Sequence, residues 1–535
     1  MGFERDEIVD LAADPFGDGV GGHALAEAAS PMVLALTTLL GVTVELAIRN
    51  VTIIDGTGGP AAEADVGITG DRISAVGRVG AAARDLDGAG LTLTPGFIDV
   101  HTHDDGALIR HPGMEFKLAQ GCTSVIIGNC GFSAAPARDG ERDPSGLIGV
   151  RPTWSDLAGF GAAVKQARPA LNAMALVGHN TVRRLVMGND DRAPTEGELA
   201  TMKRLVAEAM SQGAGGFSTG LIYEPGRYSR TDEVVALARE AAGAGGLYAS
   251  HIRNEGDRLM EAIEEAITIG QQAKLPVQIS HHKAAGVRNW GKVADSLARI
   301  DQANAAGADI TLDVYPYTAG SGPMAQYFRL DRLDPELAAV IRFASCPAFR
   351  HYEGRMAVDL AAEQGVEPTE VIRQVLTAPD GERTICIQFI IDEADVETNL
   401  RHPLMMVGSD GIVDLEGRPH PRLFGTFPRV LAHYVRHRAV LSLEEAIRRM
   451  TGLSAGRFGL VDRGLVAEGH FADLVLFNPE TITDTATYDD PKQEPAGIEL
   501  VMVNGQISLD RGIVGQRPDS GHTGVGAGRM LWYQR

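Results

Sequence analysis

The sequence predicts an α/β fold, namely a (β/α)8 TIM-like barrel with a small β-sandwich domain formed from both chain ends and an insertion after strand seven. Three observations predict it. Eight short apolar segments alternate with helical stretches through the middle of the 535-residue chain. Gly-rich segments that alternate apolar and polar residues flank them at both ends. One late connection is several times longer than a βαβ crossover needs.

Apolar segments bounded by turn or helix signals predict the eight barrel strands. Helix signals lie between most of them, including Thr195 followed by Glu198, and Ser442 followed by Glu445, which are capping-box patterns. The predicted helices with the clearest patterns cover 194–213, 258–275 and 442–450. The predicted strands are 97–103, 124–130, 173–179, 216–221, 247–252, 277–282, 310–315 and 404–410. We expect the barrel domain to cover 95–463.

Short antiparallel strands are predicted on either side of the barrel, over 44–94 and 464–515. Asn504–Gly505 is typical of a two-residue type I′ turn. The simplest arrangement is one β-sandwich domain built from both blocks. Residues 1–43 have no clear period and are expected to be an N-terminal extension outside the fold, and 516–535 a C-terminal tail.

The long connection follows the seventh strand. Roughly ninety residues separate Tyr317 from Met405, where a crossover needs about a dozen. An insertion of this size, over 322–400, predicts a lid or subdomain at the barrel mouth.

Composition excludes several classes of function. Lys+Arg 49 against Asp+Glu 70 gives a net charge of −21, which repels a polyphosphate backbone and argues against a nucleic-acid partner. Four cysteines are too few for a disulfide framework. The apolar run at 31–44 is too short to span a bilayer and no basic segment precedes it. We therefore expect a cytoplasmic protein without a membrane partner; the sequence indicates no oligomeric state.

Histidine, cysteine and aspartate lie at the carboxyl ends of five predicted strands, which meet at one mouth in a (β/α)8 barrel. Taken alone, each is more commonly a polar residue whose hydrogen bonds are made within the fold, or, for Cys130, a small buried apolar residue. Together they would be costly to bury without a cation, and imidazole and thiolate favour zinc. Asp410 is placed to take a proton from a metal-activated water. The candidates are His101, His103, Cys130, His251, His281 and Asp410.

These segments resemble the D-aminoacylases, the N-acyl-D-amino-acid deacylases of the amidohydrolase superfamily. The resemblance runs from about residue 44 to 512 and weakens inside 322–400. It is carried by PGFIDVHTHDD (95–105), GNCGFSAAP (128–136), GFSTGLIYEPGRY (216–228), SHIRNEG (250–256), SHHK (280–283), DVYPYTAGS (313–321), GSDG (408–411), RPHPRLFGTFPRVL (418–431) and MTGLSAGRFGL (450–460).

The resemblance implies zinc-dependent hydrolysis of small-molecule N-acyl-D-amino acids. It implies one tight zinc site at Cys130, His251 and His281, and a second, weaker position at His101 and His103 with Cys130 and Asp410. It implies that Asp410 is the catalytic acid/base. Substrate-binding residues implied in the same way are Tyr223, Lys283, Tyr315, Ser321 and Arg422. An Arg fork suits the substrate's α-carboxylate. Core aromatics at strand ends are the alternative for the two tyrosines.

There are three alternatives to this function. A cyclic-amide hydrolase of the hydantoinase or dihydroorotase kind is the closest alternative, but predicted strand four, GGFSTGL, lacks the bridging lysine of that class. Lys117 precedes strand two and is interpreted as a surface charge. A non-catalytic metal-binding relative would be expected to lack Asp410, which is present. A structural protein with an accidental ligand set is the third.

Overall fold

A barrel of eight parallel strands lies at the centre of the molecule. The computed structural model describes residues 44–138, 140, 149–513, 521–524 and 526–534. In it, each barrel strand hydrogen-bonds the next one along the chain. From first to eighth the strands are Phe97–Asp99, Cys122–Ile127, Asn172–Gly178, Gly216–Gly220, Leu247–His251, Val277–Ile279, Ile310–Val314 and Met405–Val407. All eight predicted strands are confirmed, and each ends earlier than predicted because the residues that follow turn into the mouth.

The first and eighth strands meet through short continuations that close the barrel. Thr102–His103 pairs in parallel with Gly411–Ile412. The Asp410 amide donates a hydrogen bond to the His101 carbonyl at 2.8 Å. Backbone pairing thus places these two segments side by side at the mouth.

Helices connect the strands. Of the two predicted capping boxes, the one at Thr195 and Glu198 forms completely, whereas Ser442 caps its helix without a return bond from Glu445, whose carboxylate accepts from Arg448 and Arg449 instead. The Glu198 amide donates to Thr195 Oγ1 at 3.3 Å and the Thr195 amide donates to the Glu198 carboxylate at 2.7 Å. Ser442 caps its helix through the Glu445 amide at 3.1 Å. The helices around the barrel are Ala107–Arg110, Glu115–Leu118, Leu157–Ala167, His179–Met187, Glu196–Ser211, Thr231–Gly243, Leu259–Ala273, Lys292–Ala305, Glu393–Arg401, Arg422–Arg429, Leu443–Met450 and Gly452–Phe458, with a π-helix at Val430–His437. Glu393–Arg401 falls almost wholly within the predicted insertion range, 322–400, but packs on the barrel.

Both chain ends contribute to one eight-stranded sheet beside the barrel. Its apolar face forms a separate core that includes Ile48, Leu93, Leu474 and Leu500. Asn504 and Gly505 both have positive φ, 48° and 76°, as a type I′ turn requires. The strands are Val44–Ile53, Ala62–Thr69, Arg72–Gly77, Ala82–Asp87, Thr92–Pro95, Leu474–Phe477, Ile498–Val503 and Gln506–Asp510. The predicted β-domain from both ends is confirmed.

The expectation that all of these strands are antiparallel is wrong. Val44–Ile53 pairs in parallel with Ala82–Asp87 and with Thr92–Pro95. Alternation of polar and apolar residues reports which face of a strand is buried. It does not report the direction of the neighbouring strand, which depends on where the chain returns.

The insertion after the seventh strand has its own sheet and core. Gly320–Pro323, Ile341–Ser345 and Ile385–Gln388 form three antiparallel strands. Phe343, Leu360 and Val371 are among the residues of its buried core. Its helices are Met324–Tyr327, Pro335–Ala339, Ala357–Gln364 and Pro368–Thr377.

The described part of the C-terminal tail packs at the amino ends of the barrel strands. The Tyr533 hydroxyl donates to the Gly245 carbonyl at 2.8 Å, and Met530 forms a bridge with Ala173. The predicted N-terminal extension, 1–43, lies outside the described residues. In the described ranges, no helix has the length and apolar character needed to cross a membrane.

Candidate metal centre and active site

Six side chains converge where the barrel strands end. Ligand atoms of His101, Cys130, His281 and Asp410, all buried, lie within 4.8 Å of one another. His251 adds a ring nitrogen 3.6 Å from the Cys130 sulfur. His103 Nε2 lies 3.2 Å from Asp410 Oδ1. These are the six ligand candidates from the sequence, and the structure brings all of them together; their roles as ligands stay predictions.

The spacing of the donor atoms fits a tetrahedral ion. The Cys130 sulfur lies 3.6 Å from His251 Nδ1, 3.5 Å from His281 Nε2 and 3.3 Å from His101 Nε2. Zinc bonds of about 2.3 Å to sulfur and about 2.0–2.1 Å to nitrogen, at the tetrahedral angle, separate sulfur and nitrogen by roughly 3.5–3.6 Å. His251 and His281 match this separation best, and they are the residues of the implied tight site.

The site also favours the metal-binding form of its cysteine. Burial raises the pKa of Cys130, but the charge of His101 and hydrogen bonds from the surrounding histidines outweigh burial. The pKa of Cys130 therefore lies well below its ordinary value. Burial lowers the pKa of His101, and the charges of Cys130 and Asp313 outweigh this and raise it. A thiolate is the form in which cysteine binds metals.

Three site residues have left-handed backbones. Cys130, His281 and Asp410 have φ of 53°, 34° and 50°. Such a conformation costs about 1–3 kcal/mol for a residue other than glycine, and it persists where the surrounding structure imposes it. Before Cys130, Gly128 has φ of 76°, and a Cβ there would lie 2.2 Å from the Leu176 carbonyl oxygen. The sharp turns aim the three side chains into the mouth.

Arg422 forms the wall beside the metal centre. Its side chain is fully buried. The Nη2 atom lies 3.0 Å from Asp410 Oδ2 and also donates to the Ser321 carbonyl at 3.0 Å. Its carbon Cζ lies 4.5 Å from the Tyr315 ring centre. Nε and Nη1 of Arg422 are buried without a hydrogen-bond partner among the described residues. A carboxylate is the group that a free guanidinium edge binds best.

Burial opposes ionisation of Asp410, but the charges of Arg422 and His281 outweigh it, so its pKa lies well below the ordinary value. Asp410 is therefore a carboxylate, and its role as the catalytic acid/base stays a prediction.

Two tyrosines and a lysine complete the wall. The Tyr223 ring lies 4.5 Å from the His251 ring, and the Tyr223 hydroxyl is 3.0 Å from that of Tyr327. Lys283 Nζ lies 2.8 Å from His281 Nδ1 and 5.5 Å from the Tyr315 ring centre. All five predicted substrate-binding residues thus lie around the metal centre; their contacts with a substrate stay predictions.

Comparison with known proteins agrees with this geometry. A family model described as the amidohydrolase family matches residues 85–509. The chain belongs to the amidohydrolase family. Two relatives from Alcaligenes xylosoxydans xylosoxydans are each 42% identical: an N-acyl-D-glutamate deacylase, over 89% of this chain and 95% of its own, and a D-aminoacylase, over 91% and 97%.

One of the similar solved structures contains a metal and an inhibitor. It is an N-acyl-D-glutamate deacylase from Bordetella bronchiseptica complexed with zinc and a phosphonate inhibitor that mimics the tetrahedral intermediate. It is 38% identical with a TM-score of 0.83, over 92% of this chain and 100% of that one. A D-hydantoinase aligns at 17% identity and a TM-score of 0.56, which is a likeness of fold alone.

Sequence reasoning missed one carboxylate in this amidohydrolase. Glu255 Oε1 lies 2.9 Å from His281 Nδ1, and Oε2 lies 3.6 Å from His251 Nε2. It also accepts a hydrogen bond from Lys283. Burial raises the pKa of Glu255, but the charges of Lys283 and the two histidines outweigh this and hold it well below its ordinary value. Glu255 thus lies beside the ring nitrogens that face away from Cys130, within hydrogen-bond distance of His281 alone, which is the position that outer carboxylates take at zinc sites.

Tyr327 was missed for a different reason. It lies inside 322–400, where the resemblance is weakest. Only the fold of the insertion brings its hydroxyl to Tyr223, so no local pattern in the sequence indicates it.

The interpretation of Lys117 as a surface charge is wrong. Its side chain is fully buried, with Nζ 2.6 Å from Asp99 Oδ2, 3.4 Å from Asp104 Oδ2 and 2.8 Å from Ser409 Oγ. The Asp99 carboxylate also accepts the Ser409 amide at 2.8 Å. A buried lysine is tolerable only when paired. Here its partners come from the end of the first strand and from the segments that follow the first and eighth strands, so Lys117 links the two sides of the barrel seam.

Proposed function

We propose that the protein is a zinc-dependent hydrolase that cleaves the amide bond of N-acyl-D-amino acids and releases a carboxylate and a free D-amino acid. The observation that carries the proposal is the buried edge of Arg422, whose Nε and Nη1 have no partner among the described residues, beside a thiolate–imidazole centre. It combines a carboxylate-binding group with a metal site. The D preference is taken from the named activities of the two 42%-identical relatives.

Cys130, His251 and His281 would hold the zinc tightly, and His101, His103, Cys130 and Asp410 offer a second, weaker position. When bound, zinc supplies Lewis acidity toward the acyl carbonyl and lowers the pKa of water.

Asp410 would act as general base and then general acid. Its low pKa keeps it ionised, so it can accept the proton of the attacking water at a carboxylate oxygen. It would then deliver that proton to the leaving nitrogen, so the amine departs neutral. The 3.0 Å contact with Arg422 holds the carboxylate in position for both transfers.

Arg422 would orient the substrate by binding its α-carboxylate through Nε and Nη1. Lys283, Tyr223 and Tyr315 surround the same space and add a cation and neutral hydroxyl donors. Ser321 lies on the adjoining strand of the insertion, where its carbonyl fixes the guanidinium. The amide is thereby held between the Arg422 side and the thiolate–imidazole centre.

We also propose that the enzyme acts in the cytoplasm on a small-molecule substrate and binds no nucleic acid. The net charge of −21 and four cysteines, all free and buried, support this.

The experiment compares a linear and a cyclic amide. Zinc-loaded protein should release methionine from N-acetyl-D-methionine and leave a 5-substituted hydantoin closed. Chelation should abolish turnover and added zinc should restore it. Hydantoin opening by protein that leaves the N-acetyl substrate intact would replace the proposal with the cyclic-amide alternative.

A further inference from the structure

His420 is a buried histidine that lies two residues before Arg422 and is not among the six ligand candidates. Only 3% of its surface is exposed. The rings of Tyr317 and Tyr488 pack edge-on against it, each with its centre 5.1 Å from the imidazole centre. Tyr317 follows the seventh barrel strand, and Tyr488 lies between two strands of the terminal sheet. Two segments that are distant in the chain therefore fix the orientation of this ring.

Both ring nitrogens of His420 are hydrogen-bonded. The Arg422 amide donates to Nδ1 at 3.0 Å, and Nε2 donates to the Ala319 carbonyl at 2.9 Å. Because an amide can only donate and a carbonyl can only accept, these partners assign the neutral tautomer with its proton on Nε2. Burial and the charge of Arg422 hold the pKa of His420 well below its ordinary value, which agrees with a neutral ring.

The two partners belong to the two segments that hold Arg422. The Arg422 amide lies at the first residue of the helix Arg422–Arg429. Ala319 directly precedes the insertion strand Gly320–Pro323, in which the Ser321 carbonyl accepts from Arg422 Nη2 at 3.0 Å. One imidazole thus joins the main chain of the arginine to the strand that fixes its side chain.

We propose that His420 is a positioning residue: it holds the guanidinium of Arg422 where the substrate carboxylate is to bind, by joining the Arg422 main chain to the insertion strand that contains Ser321. The inference rests on the proposed function. Nε and Nη1 of Arg422 have no partner among the described residues, so the direction of this edge depends on the Arg422 main chain and on the contacts of Nη2. Displacement of a binding group by about 1 Å can lower a rate about 100-fold.

The test is a double-mutant cycle of H420A with R422K, measured as kcat/KM for N-acetyl-D-methionine. Alone, H420A should lower kcat/KM about 10- to 100-fold. In the R422K background it should lower kcat/KM less than about threefold, because the flexible lysine stem adapts to a shifted main chain. Equal factors in both backgrounds would overturn the proposal, since His420 would then act independently of Arg422.

A second substrate and a conservative variant separate positioning from a general structural effect. H420A should lower kcat/KM less for N-acetyl-D-methioninamide than for the acid, and equal losses on both would overturn the proposal. H420N places an oxygen near the position of Nδ1, where it can accept the amide two residues on, as in Asx turns. It should therefore recover part of the activity; an H420N variant no better than H420A would overturn the role of the bond to the Arg422 amide.

The matched control is H402A. His402 is also buried and also precedes a proline, and its Nδ1 accepts the amide of Leu404, two residues on, at 3.4 Å. It lies just before the eighth barrel strand, at the end of the barrel opposite the mouth. H402A should keep kcat/KM near wild type, and a loss equal to that of H420A would overturn the proposal. Urea unfolding and zinc content, measured in parallel, restrict the comparison to folded, zinc-loaded protein.

Failure of the proposed function would be recognised separately, because zinc-loaded wild type would then hydrolyse no N-acyl-D-amino acid. Crystal structures of wild type and H420A test the positioning role without any substrate. The contact of Arg422 Nη2 with the Ser321 carbonyl, which is 3.0 Å in the intact protein, should lengthen beyond the limit of a hydrogen bond, about 3.5 Å. An unchanged contact in H420A would overturn the proposal whether or not the enzyme is active.

Discussion

Arg422→Lys tests how the substrate carboxylate is held. The substitution keeps a positive charge near Asp410 but removes the planar edge formed by Nε and Nη1. Both atoms are buried without a partner in the described part of the chain, while Nη2 is occupied by Asp410 and the Ser321 carbonyl. A lysine ammonium is a point charge and cannot replace two parallel donors.

The expected loss follows from those two donors. A hydrogen bond to a charged group contributes about 1.5–3 kcal/mol. Lysine retains the charge and at most one bond, so transition-state binding should weaken by about 2–4 kcal/mol. At about 1.4 kcal/mol per factor of ten, this is roughly a 30- to 700-fold fall in kcat/KM.

The assay is steady-state hydrolysis of N-acetyl-D-methionine by zinc-loaded protein, with zinc content measured in parallel. N-acetyl-D-methioninamide lacks the carboxylate and should lose at least tenfold less than the acid, since for it only the contact of Arg422 with Asp410 is altered. Arg418→Lys is the matched control, because Arg418 is exposed and four residues away. If Arg422→Lys keeps kcat/KM within threefold of wild type on the acid, or loses equally on acid and amide, Arg422 does not bind the carboxylate.

Four further predictions concern the centre itself. Asp410→Asn should keep zinc and lower kcat by about 10²- to 10⁴-fold. A near-normal kcat for the zinc-loaded variant would exclude Asp410 as the base. Glu255→Gln should weaken zinc affinity about 10- to 100-fold in a competition assay with a chelator, and unchanged affinity would reduce Glu255 to a packing role. Iodoacetamide at pH 6.5 should label Cys130 in metal-free protein, since its lowered pKa leaves it a thiolate. It should not label Cys386, whose pKa burial raises to about 12. Zinc should protect Cys130, and equal labelling of both thiols would contradict the thiolate assignment of Cys130. Lys117→Met leaves two buried carboxylates unpaired and should lower the free energy of unfolding in urea by about 3–5 kcal/mol, whereas a loss below about 1 kcal/mol would mean that the pairing contributes little.

The barrel and most of the centre could be predicted from the sequence because the barrel topology determines where the end of each strand lies. Once eight strands alternate with helices, residues such as Cys130, His251 and Asp410 must meet at the carboxyl ends. The terminal sheet was predictable as a domain, but the parallel pairing of Val44–Ile53 was not. That pairing depends on a return of the chain that side-chain alternation does not record.

The remaining errors concern residues whose roles depend on distant partners. Lys117 is buried because two carboxylates and a serine hydroxyl surround it, and those groups come from segments far away in the chain. Tyr327 reaches the site only through the fold of the insertion. Glu255 was within reach of sequence reasoning, since it follows His251 by four residues in SHIRNEG.

The most direct test of the central claim is a zinc titration of metal-free protein, followed by hydrolysis of N-acetyl-D-methionine and its L enantiomer. Activity on the D substrate should rise with zinc and reach most of its maximum at about one equivalent, as one tight site at Cys130, His251 and His281 requires. The L substrate should remain intact throughout. Turnover without zinc, or equal turnover of both enantiomers, would contradict the account.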